Sequence, residues 1–205
     1  MTAKKQYGGF IQMKKAAFLL LAIVFLGACR EVQAQNQGGI PAQNQERILI
    51  VYYSRTGNTR TVAEYIQQAV GGDFFEIETA IAYPSDYQST ADIAQRQQRE
   101  NARPELASNV SNMNSYDIIF LGYPIWWGRM PMFFFTFLES HDLSGKTIIP
   151  FCTYGSSGVG QSAADIQRLA PGATVREAFG YRGANANNSR NDVTAWLRRL
   201  GMSVR

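Results

Sequence analysis

The chain has 205 residues, 45% hydrophobic and 18% charged, which suits one domain of ordinary size with a sizeable core. Its formal charge is +4, but Lys4, Lys5, Lys14 and Lys15 supply that excess, and from Cys29 onward 16 basic residues are balanced by 16 acidic ones. A neutral body excludes nucleic-acid binding through a basic face, and two cysteines are too few for a disulfide framework.

In chain order, the first feature is "MKKAAFLLLAIVFLGAC" from Met13: two lysines, an apolar run over 16–26, then Gly27, Ala28 and Cys29. This is the pattern of a secretory signal, and the run falls short of the ~20 residues of a spanning helix. Residues 1–12 precede the start-like Met13. "LGAC" resembles a bacterial lipobox, so residues 1–29 are expected to be a signal peptide whose processing leaves Cys29 lipidated. Cleavage after "VQA", leaving Gln35 first, is the alternative. Residues 30–46 are polar, rich in Gln and Asn, and read as a flexible tether with an r.m.s. span of roughly 20–25 Å. The expected location is outside the cytoplasm, on a membrane through the lipid or, with the other cleavage, soluble in the periplasm.

The domain proper spans 47–205. "RILIVYY" is a short apolar run fit for a strand buried on both faces. Residues 58–70 carry Val62, Tyr65, Ile66, Ala69 and Val70 at helical spacing, and Gly71–Gly72 stop them. "DFFEIET" reads as a second strand, "YDIIFLGYP" as a third and "TIIPFCTY" as a fourth, with "ATVREAFGY" a weaker fifth. Helices are expected at about 86–103 (in a polar, peripheral segment over 79–115), 131–140, 161–169 and 191–200. Alternating strands and helices imply an α/β layered fold with a parallel sheet.

Ligands of such sheets bind beyond the carboxyl ends of the strands. After strand one comes "SRTGNT", hydroxyl- and glycine-rich and leading into a helix: a place for a phosphate, since backbone N–H groups and the helix dipole point there. It lacks the lysine of a triphosphate loop and the GxGxxG spacing of a dinucleotide turn. A helix start capped by Thr56 or Asn58 is the plainer alternative. After strand three, "YPIWWGRMP" holds Trp126 and Trp127, of which one can point inward while the other stacks on a flat ligand. After strand four, "TYGSSGVG" has glycines that let backbone approach a ring edge.

Together these loops resemble those of the flavodoxin family over about 47–201. The resemblance implies a three-layer, doubly wound fold with a five-stranded parallel sheet in order 2-1-3-4-5, and FMN as cofactor. Carried over residue by residue, Ser54, Arg55, Thr56, Gly57, Asn58 and Thr59 would hold the phosphate. Pro124, Ile125, Trp126, Trp127 and Gly128 would line the ribityl chain and isoalloxazine. Thr153, Tyr154, Gly155, Ser156, Ser157 and Gly158 would approach the pyrimidine edge. A carbonyl near Trp127–Gly128 would accept from flavin N5–H after one-electron reduction, glycine there letting the peptide flip.

The implied function is electron transfer to a redox partner protein or a small acceptor. An FMN-dependent reductase of quinone-type acceptors using NAD(P)H is the alternative, and a membrane-tethered phosphate-ligand module without redox work is a remote one. Short flavodoxin shuttles are typically acidic, and the neutral body here departs from them. Other residues get plainer expectations: Cys152 a buried small hydrophobe, His141 a helix-end or surface group, Asp142 and Lys146 turn and surface groups, Arg129 solvated, and Tyr83 and Tyr87 packed rather than covering the ring.

Overall fold

The fold is that of a computed structural model, which describes residues 46–205. The expected signal peptide, Cys29 and the expected tether up to residue 45 lie outside the described residues.

Five parallel positions form one sheet. The strands are β1 (Ile48–Tyr52), β2 (Asp73–Glu76), β3 (Ile118–Pro124), β4 (Thr147–Tyr154), β5 (Thr174–Val175) and β6 (Phe179–Arg182). The order is β2-β1-β3-β4-β5, and β6 also pairs with β4, so the fifth position is one strand in two pieces. The break follows from Glu177, whose carbonyl accepts the Trp196 indole N–H at 3.2 Å instead of joining a ladder. At a sheet edge no further strand resists that turn. The doubly wound 2-1-3-4-5 sheet is the one expected.

Side chains alternate across the strands, as a period of two requires. Leu49, Val51, Ile119 and Leu121 join one buried cluster with Phe133, Phe134 and Phe137 of α3 (Phe133–Glu139) and Ile166 of α4 (Ser162–Leu169). Ile50, Tyr52, Ile118 and Phe120 join the other, with Val62 and Ile66 of α1 (Asn58–Val70) and Trp196 and Leu197 of α5 (Arg190–Arg199). The central strands are therefore covered on both sides, which explains their unbroken apolar runs.

The remaining helix, α2 (Tyr87–Arg99), is peripheral, as its polar sequence suggested. It buries only Thr90 and Ala94. Asp86 caps it, accepting from Ser89 N at 2.7 Å, and that bond holds the Asp86 carboxyl below its ordinary pKa. The helix stops at Arg99, short of the expected 103, because Asn101 turns to φ 48. Arg103 instead grips Glu139 of α3 through two nitrogens, at 2.6 and 2.8 Å.

Candidate functional site

The turns after β1, β3 and β4 meet at the carboxyl end of the sheet around a cleft of about 630 Å³. Arg55, Thr56, Asn58 and Thr59 line it from the first turn, and Pro124, Ile125, Trp126, Trp127 and Gly128 from the second. Thr153, Tyr154, Gly155, Ser156 and Ser157 line it from the third. The expected residues Ser54, Gly57 and Gly158 belong to these turns without lining the cleft.

The first turn is built to leave donors open. The residue before α1 is Gly57, at φ 86, and no side chain caps the helix. Neither Thr56 nor Asn58 acts as the cap; the Asn58 amide Nδ2 donates to Thr56 Oγ1 at 3.2 Å. The first amides of a helix have no partner within it, and its dipole places roughly half a positive charge there. Two further groups, Ser54 Oγ and Arg55 Nε, are buried without a hydrogen-bond partner. Both can donate, and leaving buried donors unpaired is costly. Arg55 lines the cleft, and an anion there can accept from its guanidinium and from the open amides, so the turn fits a phosphate. Behind it, Thr59 and Thr153 are buried and their hydroxyls meet at 2.8 Å, tying this turn to the end of β4.

The second turn is a two-residue hairpin. Trp126 N donates to Arg129 O at 2.8 Å and Arg129 N to Trp126 O at 3.1 Å. Trp127 has φ 50 and Gly128 φ 76, the pair of positive values that defines a type I′ turn. For a tryptophan the left-handed conformation costs ~1–2 kcal/mol, so the surroundings must hold it. They do: the Trp127 indole N–H donates to Ala91 O at 2.9 Å, and Gln98 Nε2 donates to Trp126 O at 2.7 Å. The two tryptophans divide between interior and cleft. Trp126 packs edge-on against Tyr53, Tyr83 and Phe133, while Trp127 is 55% exposed at the cleft wall.

The third turn is pressed against the second. Gln161 N donates to Gly128 O at 3.0 Å, and a Cβ on Gly160 would lie 2.0 Å from that oxygen. A residue larger than glycine at 160 would push the two walls apart.

Two walls escaped the sequence reading. Tyr87, Thr90, Ala91 and Ala94 of α2 form one, and Gly183 and Ala184 after β6 the other. Tyr87 is 77% exposed there, which corrects the expectation that it packs. Tyr83 does pack; its hydroxyl donates to Gln97 Oε1 at 2.7 Å and burial pushes its pKa up to about 12. The spacing of Tyr87, Ala91 and Ala94 along one helical face was the available signal, but nothing local tells a face toward a cleft from a face toward solvent.

Two further residues, Arg129 and Lys146, depart from their expectations, while Asp142, His141 and Cys152 match theirs. Arg129 is not a solvated group: it holds Asp165 through Nε at 2.8 Å and through Nη2, and Asp165 is only 8% exposed at its side chain. Lys146 is buried, its ammonium donating to Tyr116 O at 2.7 Å. Asp142 does close a turn, accepting from Ser144 N at 3.0 Å. His141 Nδ1 meets Phe137 O at 2.8 Å at the end of α3. Cys152 is buried and its thiol pKa is pushed up to about 12 by burial, which leaves it unreactive at neutral pH.

Residues 47–200 match the sequence profile of the family described as Flavodoxin. No curated protein matches the chain. Among solved structures, a candidate flavoprotein of Bacteroides eggerthii is 33% identical, covering 76% of this chain and 98% of its own, with a TM-score of 0.66. One from Bacteroides uniformis is 34% identical over 75% of this chain and 98% of its own, at 0.65. A flavoprotein of Lactobacillus acidophilus, solved in complex with FMN, is 24% identical over 70% and 97%, at 0.58.

Proposed function

The chain belongs to the flavodoxin family, and on that premise we propose that it is an FMN-binding redox protein that takes up electrons and passes them to a partner protein or a small acceptor. The observation that carries this reading is the convergence of three turns on one cleft, with unpaired donors at one end and a tryptophan wall beside them. Bound FMN supplies the redox chemistry.

The chain's own residues bind and orient it. The amides that open α1, with Arg55, Thr56 and Thr59, hold the phosphate dianion. Trp127, fixed by its bond to Ala91 O, offers an aromatic face to the ring. Gly155, Ser156 and Ser157 bring backbone and hydroxyls to the opposite side. Tyr87 and the small residues Ala91 and Ala94 close the α2 side and exclude water there. The cleft contains one charged residue among those lining it, Arg55, so the site has no carboxylate to repel an anionic cofactor.

Export and anchoring through a lipid on Cys29 belong to the same proposal, supported by the leader and the tether composition. The deciding experiment is to titrate FMN into the purified domain 46–205 and follow the quenching of flavin fluorescence. Saturable quenching at one FMN per chain is expected, with riboflavin, which lacks the phosphate, binding at least tenfold more weakly. Equal affinity for both would remove the phosphate assignment, and no quenching would remove the cofactor.

A further inference from the structure

The polar segment between β2 and β3 is closed at its base and loosely held beyond it. Ala80 N donates to Glu105 O at 2.9 Å and Ala107 N to Glu78 O at 2.8 Å, on either side of an antiparallel bridge between Thr79 and Leu106. These bonds form a short neck. Beside it, Arg103 holds Glu139 and Thr136 Oγ1 donates to Pro104 O at 2.9 Å, so the returning chain is fixed to α3. On the outgoing side the Tyr83 ring packs against Tyr53 and Phe133. Between these anchors lies α2 with its two connections, over 84–102.

Little apolar surface holds that stretch down. The helix buries only Thr90 and Ala94, and no strand or other helix packs along its length. Its closed position rests on hydrogen bonds instead. Arg55 Nη2 donates to Ser85 O, the Trp127 indole to Ala91 O and Gln98 Nε2 to Trp126 O. The first ties α2 to the phosphate turn and the other two tie it to the tryptophan hairpin. A fourth runs from the Tyr83 hydroxyl to Gln97 Oε1. Each such bond replaces one to water, so breaking it shifts an equilibrium by only about 2–12-fold.

The cleft runs in beneath this helix. Thr90 and Ala94 line it yet are 4% and 3% exposed, whereas Tyr87 on the same helix is 77% exposed. Water barely touches the inner wall, so a ring-sized ligand reaches it only when α2 moves aside. Resting on the reading of this cleft as the ligand site, we propose that α2 is a gate: it swings out as a unit, admits the flat end of the ligand and closes over it. The chain turns at Pro84, before the Asp86 cap, and at Asn101, which stands at φ 48 after the last helical turn. Ligand enters and leaves by the same opening. Loosening the closed state therefore speeds both steps alike and leaves affinity unchanged. A fixed wall behaves differently, since weakening it shortens the ligand's stay without helping it arrive.

Gln98 separates the two cases. It lines no part of the cleft, and Trp126 O keeps its bond from Arg129 N, so Gln98→Leu removes one latch without stranding an acceptor. The measurement is stopped-flow quenching of FMN fluorescence with the domain 46–205, within which both buried clusters are complete. In Gln98→Leu, kon and koff are expected to rise together by about 2–12-fold, with Kd changed by less than about twofold. A ligand-free readout accompanies it. With Ala94→Cys in both backgrounds, a thiol reagent should label the introduced thiol faster by the same factor in Gln98→Leu. Cys152 is buried and does not compete. Any result in which the two rate constants do not rise together, or a labelling rate that Gln98→Leu leaves unmoved, overturns the proposal. If no FMN binds, the cofactor reading falls, and labelling alone still decides whether α2 opens. Gln98→Ala takes the place of the leucine variant if that one does not fold.

Discussion

Thr59 and Gly160 show how much the cleft depends on single groups away from any ring-stacking surface. Thr59 joins the phosphate turn to β4 through one buried hydroxyl pair. Replacing it by valine leaves the Thr153 hydroxyl buried and alone, so a loss of about 1–3 kcal/mol in urea unfolding is expected, along with weaker FMN binding. Gly160 has φ 60 and faces Gly128 O, so Gly160→Ala overpacks the junction of two walls and should cost ~1–3 kcal/mol. Gly155 makes the natural control: a Cβ there meets nothing within 4 Å, and Gly155→Ala should change the stability of the FMN-free domain by less than about 0.5 kcal/mol. Equal losses from the two alanines would show that the Gly128–Gly160 contact does not hold the walls.

Among the elements, α2 stands apart. It buries two residues, whereas α1 of the same length buries five. Its links to the cleft are a few hydrogen bonds, from the Trp127 indole to Ala91 O and from Gln98 to Trp126 O. Its amides should therefore open with a free energy about 1–2 kcal/mol or more below that of α1, exchanging hydrogen at least about 5–30 times faster. Equal protection of the two helices would contradict this. The chain after α2 is pinned by Arg103 on Glu139, and hydrogen bonds from that guanidinium hold the Glu139 carboxyl below its ordinary pKa. A carboxylate with a depressed folded pKa stabilises above its unfolded value and loses that contribution as pH falls through the folded one. Wild type should exceed Glu139→Gln by ~0.2–1 kcal/mol at pH 7, the range for a half-exposed pair. The difference should shrink as pH drops below about 4. A gap that stayed constant down to pH 3 would mean that the pair's charge contributes nothing.

For the whole molecule, ligand and stability are linked. FMN at a hundred times its dissociation constant should add about 2.7 kcal/mol to stability. For a domain of this size that is a rise of roughly 5–11 °C in Tm, measurable by calorimetry. Inorganic phosphate should give a smaller rise through the first turn alone, and no rise with either ligand would dissociate the turn from anion binding. The fold and the site were legible to different depths. Apolar runs in β1, β3 and β4 betrayed strands covered on both faces, because such burial leaves no position for polar groups. The three turns were visible because glycine, hydroxyls and paired tryptophans in a strand-to-helix connection have few structural uses. The Arg129–Asp165 pair was not visible, since its partners are 36 residues apart and each looks like an ordinary surface charge. The burial of Lys146 was hidden likewise, as its acceptor is the backbone of a residue 30 positions away.

By itself the sequence determined the alternation of strand and helix and the chemical character of each turn at its rim, because these depend on periodicity and residue type within a few neighbours, while the 2-1-3-4-5 order followed from the resemblance to the flavodoxin family. Only the tertiary structure decided which way each turn faces, that α2 and the segment after β6 complete the cleft, and that Trp127 and Gly128 both turn to positive φ. Those outcomes depend on contacts between residues far apart in the chain and on the sign of backbone angles, neither of which a local pattern encodes.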